Sequence, residues 1–387
     1  MKFDIYSLNE LATIKYGKNQ SKVVSESGSI PIYGTGGLMG YATQPLYDKA
    51  SVLIGRKGTI GKVKYVDHPF WTVDTLFYTE VNDKIVIPHY LYYAMSQIDL
   101  NNFNEGTTIP SLRTETLNRL EISIPSLENQ KRILSVLETI DEKIELNNAI
   151  NDNLQQQVQA LYSSWFCAYE PFDGVTPVDW TQQSLSEIAD FVGGYAYKGN
   201  ELTTSSTAMA TIKNFDRKGG FKLDGFKEIQ PSSKLKSSQR VELFDLLVAH
   251  TDLTQNAEVI GNAEMVMSLS KYQDAIFSMD LVKVVPKKNG VSRFLLAAIL
   301  QNRLFKAHCL GYVNGTTVLH LSKKALPEYE LMLPNDLSIL KPLDEAITAL
   351  YLQISANIEE NFRLESLRDT LLPKLMSGEI DVSDAEI

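Results

Sequence analysis

At 387 residues, with 44% hydrophobic and 22% charged residues, the chain is long enough for more than one hydrophobic core and has an ordinary globular composition. No apolar run approaches the roughly 18 residues needed to cross a bilayer, the start MKFDIYSLNE lacks a signal-peptide core, and Cys167 and Cys309 support neither a disulfide framework nor a zinc site; a reducing cytoplasm is expected. The net charge of −10 argues against a nucleic-acid binder only until it is located: residues 127–165 and 336–376 carry −3 each and the residues from 377 carry −4, so the remainder is neutral.

Residues 1–126 read as short strands broken by glycine-rich turns, notably Ile30–Tyr33 and Ala50–Ile54, with a helical piece over Pro88–Gln97. Positive charge is bunched at Lys15, Lys18 and Lys22 and again at Arg56, Lys57, Lys62 and Lys64, which suits patches facing phosphates. A long amphipathic helix is expected over 127–166. The connection from Trp165 to Trp180, with Pro171, Gly174 and Pro177, marks the boundary to a second module over 167–335. There Ser184-Leu185-Ser186-Glu187-Ile188-Ala189 echoes Ser7-Leu8-Asn9-Glu10-Leu11-Ala12, and one helix is expected over Val291–Phe305. Further cations bunch at Lys213, Arg217, Lys218 and Lys222 and at Lys234, Lys236 and Arg240. A second long helix follows over 336–376, and residues 377–387 read as a frayed acidic tail.

The two halves repeat. Gly106-Thr107-Thr108, Leu112, Leu117 and Pro125 recur as Gly315-Thr316-Thr317, Leu321, Leu326 and Pro334, a constant offset of 209. After one inserted residue the offset becomes 210. It then holds along a seam in which Ile133, Leu137, Ile140, Ile144, Asn147, Asn151, Leu154, Val158, Leu161 and Trp165 match Leu343, Ile347, Leu350, Ile354, Asn357, Asn361, Leu364, Arg368, Leu371 and Leu375. The steps alternate between four and three, the period that keeps apolar side chains facing a partner helix. The fold expected is α+β, with two modules separated by two long helices in an antiparallel coiled coil and a pseudo-two-fold internal repeat. An antiparallel two-fold relation would face Asn147 toward Asn361 and Asn151 toward Asn357, where a polar seam position fixes register.

Catalytic signatures are missing. Gly34-Thr35-Gly36-Gly37-Leu38-Met39-Gly40 lacks the dinucleotide spacing, and Gly55–Val63 has five residues between Gly55 and Gly61 and Val63 where a phosphate loop needs a hydroxyl. The five histidines are dispersed, no Pro-Pro is present for an amino-methyltransferase motif, and Asp141-Glu142-Lys143 reads as solvated helix charge.

A duplicated chain of this plan resembles the specificity subunit of type I restriction-modification systems over its full length. The resemblance rests on Val52–Gly61, on Glu105-Gly106-Thr107-Thr108-Ile109-Pro110-Ser111-Leu112, on Ile124-Pro125-Ser126-Leu127-Glu128-Asn129-Gln130-Lys131-Arg132-Ile133 and on Leu371–Ile380. Leu333-Pro334-Asn335-Asp336-Leu337 departs from the second helix-start pattern. The resemblance implies two target-recognition domains, each reading one half of a split duplex DNA sequence, with the helices as a ruler. It further implies two adenine-N6 methyltransferase subunits, which would bind S-adenosylmethionine, and restriction subunits, which would use ATP and Mg. The chain itself would be a non-catalytic reader without cofactor or metal. A single-chain modification enzyme and a coiled-coil scaffold are the alternatives. Candidate DNA contacts are Lys18, Lys22, Tyr33, Arg56, Lys57, Thr107 and Thr108 in the first module, and Tyr197, Lys198, Lys213, Asn214, Arg217, Lys218, His250, Thr316 and Thr317 in the second.

Overall fold

A computed structural model describes residues 1–217, 219–254, 256–287 and 291–383. The chain divides into two compact units, Met1–Lys143 with Leu364–Ile387, and Ile144–Arg363, so each long helix contributes one part to each unit.

Unit 1 runs β1 (Phe3–Ser7), α1 (Leu8–Leu11), β2 (Ala12–Tyr16), β3 (Ile30–Gly34), β4 (Gly37–Ala42), β5 (Ser51–Gly55), β6 (Val63–Val66), β7 (Trp71–Thr72), β8 (Leu76–Val81), α2 (Pro88–Ser96), α3 (Thr114–Asn118), β9 (Glu121–Pro125) and the start of α4 (Leu127–Phe166). Three sheets result, with strand orders β2-β8-β5-β6, β4-β3-β7 and β1-β9. β5 is buried along its whole length, as its unbroken apolar run Val52-Leu53-Ile54 requires. Behind it α2 begins at Pro88, whose missing N–H costs nothing in the first turn.

Unit 2 runs from the rest of α4 through β10 (Trp180–Ser184), α5 (Leu185–Ile188), β11 (Ala189–Gly193), β12 (Thr207–Ala210), β13 (Lys227–Glu228), β14 (Arg240–Val241), β15 (Leu246–Ala249), β16 (Thr251–Asp252), β17 (Ala263–Met265), β18 (Asp274–Phe277), β19 (Leu281–Pro286), α6 (Arg293–Leu300), α7 (Arg303–Leu310), β20 (Val313–Asn314), β21 (Leu319–Leu321) and β22 (Glu330–Pro334) into α8 (Lys341–Ser377). Its sheets are β11-β19-β15-β17, β13-β12-β18-β14, β10-β22 and β16-β21-β20. The first three repeat the plan of unit 1, including a parallel pairing of strands, β3 with β7 in unit 1 and β12 with β18 in unit 2. In both units the first strand leads into the same short helix. Ser7 N–H donates to Glu10 in one, and Ser184 N–H donates to Glu187 in the other.

Every seam residue named from the sequence is buried or half-buried. In unit 1 the start of α4 and the end of α8 run antiparallel, with Ile133, Leu137, Leu372 and Leu375 in one core. Arg368, the residue that breaks the apolar match, donates from Nη1 to Asp141 Oδ1 at 2.8 Å, and Tyr93 hydroxyl donates to the same carboxylate. Asp141 is therefore not the solvated charge expected. A cation on the facing helix and a phenol from α2 hold it in the interface.

Three further expectations are corrected. The helix expected over Val291–Phe305 is two, α6 and α7, because Asn302 Oδ1 accepts from Leu304 and Phe305 N–H and starts a new helix. The second long helix begins at Lys341 and not at 336: Asp336 Oδ1 accepts from Ser338 N–H and caps a 3₁₀ turn over Leu337–Leu340. The tail is not frayed through residue 383. Ile380 N–H donates to Lys374 carbonyl, Val382 is buried in the core of unit 1, and Asp381 pairs with the N-terminal ammonium. The part of the tail from 384 lies outside the described residues. The connection between α4 and β10 is packed by aromatic edges, with Phe166, Tyr169 and Phe172 around buried Trp180.

Candidate nucleic-acid interface

In unit 1 the glycine-rich turn after β5 and the Gly-Thr-Thr loop are stitched together by their backbones. Leu112 N–H donates to Arg56 carbonyl at 3.0 Å, Gly58 N–H donates to Pro110 carbonyl at 2.9 Å, and Lys57 bridges Ser111. The loop itself closes around Asn104, whose Oδ1 accepts from Gly106 and Ser111 N–H at 2.9 Å each. A Cβ at Gly106 would lie 1.9 Å from Ile109 carbonyl, so the turn admits only glycine. Thr107, Thr108 and Lys57 are exposed as a result, beside the half-buried Arg56.

Arg56 Nη1 donates to Asp74 carbonyl at 2.8 Å, and its guanidinium lies 5.1 Å from the centre of the Tyr16 ring. Segment Thr72–Thr75 is the common neighbour of the first-module candidates. Arg56 N–H donates to Thr75 carbonyl, Lys18 N–H to Thr72 carbonyl, and Val73 N–H to Tyr33 carbonyl. The structure thus gathers Lys18, Arg56, Lys57, Thr107 and Thr108 at one end of the module, with Lys22 exposed on the turn after Lys18.

Unit 2 builds the same end from different side chains. His250 N–H donates to Asp280 carbonyl at 2.8 Å, Leu321 N–H donates to His250 carbonyl at 2.9 Å, and Thr251 pairs with His320. Leu112 and Leu321 are matched by the sequence repeat, so His250 occupies the place of Arg56. Gly315 has φ +111° and turns β20 into β21, leaving Thr316 and Thr317 exposed at the tip. The His250 imidazole is held below its ordinary pKa by burial first, then by His320 and Lys323. Among the described residues, loop 211–226, between β12 and β13, faces the segment Asp252–Val259 across a cleft of about 520 Å³. Lys213 and Arg217 line that cleft, and Arg217 Nε sits 3.2 Å from Glu258 Oε2. Lys198 is exposed and Tyr197 half-buried after β11. Lys218 lies outside the described residues.

Two candidates have structural duties that remove them from the surface. Asn214 is 0% exposed: its Oδ1 accepts from Thr211 N–H and its Nδ2 donates to Lys222 carbonyl, both at 2.8 Å. Tyr33 is 7% exposed, with its hydroxyl 3.0 Å from His68 Nε2 and Lys64 Nζ 4.0 Å from its ring centre. The sequence placed Lys64 only in a cationic bunch and His68 and His320 only among the dispersed histidines, and the fold makes them neighbours of the candidates.

In unit 2 the seam asparagines meet as pairs. Asn147 Nδ2 donates to Asn361 Oδ1, and Asn357 Nδ2 donates to Asn151 Oδ1, each at 2.8 Å. Asn147 is 1% exposed, and its Nδ2 also donates to Glu360 Oε2 at 2.7 Å.

No group of three or more His, Cys, Asp or Glu side chains fit to hold a metal occurs among the described residues, and no described helix is long and apolar enough to cross a membrane. Residues 1–156 match the family model of the type I restriction modification DNA specificity domain. The chain is 24% identical to the type I restriction enzyme HindI specificity subunit of Haemophilus influenzae, over 83% of this chain and 84% of that one. It is 24% identical to the MjaIX specificity subunit of Methanocaldococcus jannaschii, over 88% of this chain and 79% of that one. Its fold is that of a type I restriction-modification S subunit from M. genitalium, with a TM-score of 0.56 at 18% identity, covering 97% of this chain and 96% of the other. The matched domain, the relatives aligned along most of their length and the doubled fold agree: this chain is similar along its length to type I restriction-modification specificity subunits, and its residues 1–156 match their DNA specificity domain.

Proposed function

We propose that the chain is the DNA reader of a type I restriction-modification complex, with each unit's module reading one half of a bipartite duplex target. The observation that carries this reading is the repeated end of the module: the same backbone bonds join a strand end to a Gly-Thr-Thr loop in both units, while the side chains displayed there differ. A shared frame with unlike tips suits two readers of unlike sequences. Exposed Lys18, Lys22, Lys57 and Lys213 would hold phosphates, and side chains at the turn tips would reach base edges.

The partners follow from the family. Two methyltransferase subunits carrying S-adenosylmethionine would methylate adenine N6 in the target, and restriction subunits using ATP and Mg would cleave unmodified DNA, in the cytoplasm. This chain supplies address and assembly, and the chemistry belongs to those subunits.

The test is an exchange of residues 1–126 for the corresponding module of a related subunit, followed by mapping of methylated adenines in cells that also express the methyltransferase partner. One half of the methylated sequence should change and the other should stay. A change in both halves, or in neither, would refute independent reading by the modules.

A further inference from the structure

From Ser27 to Tyr47 the chain has no Asp, Glu, Lys, Arg or His, and the middle of this uncharged stretch is the β3–β4 hairpin. Its register is irregular. Ile32 faces Gly40 but Tyr33 faces Leu38, so Met39 is an extra residue without a partner. An unbroken strand would turn one of two adjacent side chains inward; the bulge instead leaves Leu38 53% and Met39 58% exposed. Val24 and Tyr41 extend the apolar surface. Bulges of this kind re-aim side chains beside functional sites.

The surroundings define what this tip can meet. Segment Lys18–Ser25 lies alongside β4 through the bonds of Thr43 N–H to Val23 carbonyl and Ser25 N–H to Tyr41 carbonyl, which brings exposed Lys18 and Lys22 to the flank of the hairpin. Val73 N–H bonds to Tyr33 carbonyl and Arg56 Nη1 to Asp74 carbonyl, so hairpin and cationic turn share one end of the module. In unit 2 the same place, between β12 and β13, is filled by loop 211–226 with Lys213, Arg217 and Lys222. Where one module extends a cationic loop, the other extends an uncharged apolar tip between lysines.

On the major-groove edge of a duplex the one apolar feature is the C5-methyl group of thymine. We propose that Leu38 and Met39 are specificity-determining residues of the first module, packing on a thymine methyl in its half of the target while Lys18 and Lys22 hold the flanking phosphates. This deepens the DNA-reading function above and rests on it.

The experiment uses the full chain assembled with its methyltransferase partner and duplexes bearing the mapped target. Each thymine of the half-site read by residues 1–126 is replaced in turn by deoxyuridine, which deletes only the methyl group. At one or two positions the wild-type complex should bind deoxyuridine about threefold to fivefold more weakly, the worth of one buried methyl. The double variant Leu38→Ala, Met39→Ala should lose a similar factor on the thymine duplex, be indifferent to deoxyuridine, and keep the wild-type salt slope. Equal wild-type affinity for thymine and deoxyuridine at every position would overturn the proposal, and that measurement needs no variant to fold. So would a double variant that binds more weakly yet retains a thymine preference. If exchanging residues 1–126 leaves the target unchanged, the underlying DNA-reading function fails, whatever the hairpin does.

Discussion

The strands of the first module recur in the same order in the second, which adds β14, β16, β20 and β21, and the two differ most where strands end. β5 in unit 1 and β15 in unit 2 are matched residue by residue through their neighbours, and four matched places carry unlike groups. Arg56 stands where His250 stands, and Lys57 where Thr251 stands. Lys64, opposite Leu53, stands where Glu264 stands opposite Leu247. A two-residue hairpin turn at Thr35–Gly36 stands where loop 211–226 stands. Backbone hydrogen bonds are indifferent to side-chain identity, so a ladder can be copied while the groups hung from its ends change sign, size and polarity.

If the frame is common, variants of the frame should cost alike in both units. Leu117 and Leu326 are matched by the repeat and both buried. Leu117→Ala and Leu326→Ala should each destabilise the unit that holds them by about 2–5 kcal/mol, through lost transfer energy and the cavity left behind. Differential scanning calorimetry of the two variants, with unfolding of each unit followed separately by hydrogen exchange, would read this. A large cost in one unit and none in the other would break the equivalence.

How much of this was open to the sequence depends on whether a feature leaves a period or a spacing. The seam from Ile133 to Trp165 does, because a helix facing one partner repeats every 3.5 residues. So does the Gly-Thr-Thr segment, because a Cβ at Gly106 would collide with Ile109 carbonyl and the glycine must be kept. Tyr33 and Asn214 were misread as surface contacts because an aromatic residue at a strand end and an amide beside lysines look alike whether they face solvent or the core. The bulge at Met39 is invisible, since a bulge is a property of two paired strands and not of either alone. The match of Lys64 with Glu264 is equally hidden: the copies have diverged there, and only their opposite partners, Leu53 and Leu247, identify them.

That last pair sharpens the comparison through pH. Glu264 is fully buried and pushed up to about 7 by desolvation, against which one bond from Gly220 N–H to its Oε1 at 2.8 Å works. Because its folded pKa lies above the ordinary 4.5, its contribution to stability is fully present below about 4.5 and is lost as pH rises through about 7. Glu264→Gln keeps the shape and the Gly220 bond but cannot ionise. Unit 2 of that variant should lose the decline between these limits and be more stable than wild type at pH 8, by on the order of 3 kcal/mol at most. Lys64, its counterpart, is exposed to solvent and displaced in the opposite sense, downward, by partial burial. Lys64→Met should therefore leave the unfolding of unit 1 without a change of slope in the same window. Urea unfolding from pH 4 to 8 tests both, and a Glu264→Gln profile parallel to wild type would show that this carboxyl does not titrate in the folded chain.

The smallest expected effects fall at Arg56 and His250, and they differ in kind. An arginine is a cation at any working pH, so if Arg56 and Lys57 hold phosphates, replacing both by alanine removes two counterion-releasing contacts. Each should lower the slope of log affinity against log salt by about 0.9. His250 is held below its ordinary pKa by burial and by His320 and Lys323, so above pH 7 it is neutral and releases no counterion. His250→Ala at pH 7.5 should leave the salt slope unchanged and cost about 1–3 kcal/mol only on duplexes carrying the correct half-site for unit 2, if the ring touches a base edge. Arg56→Ala, Lys57→Ala should instead weaken correct and scrambled duplexes alike. Filter binding of the full chain with the methyltransferase subunit proposed as its partner, on intact and half-scrambled targets from 50 to 200 mM salt, separates the two behaviours. If both variants lose salt dependence equally, the two places do the same work in both modules, and the contrast between a phosphate clamp and a base reader at one position of a shared frame is wrong.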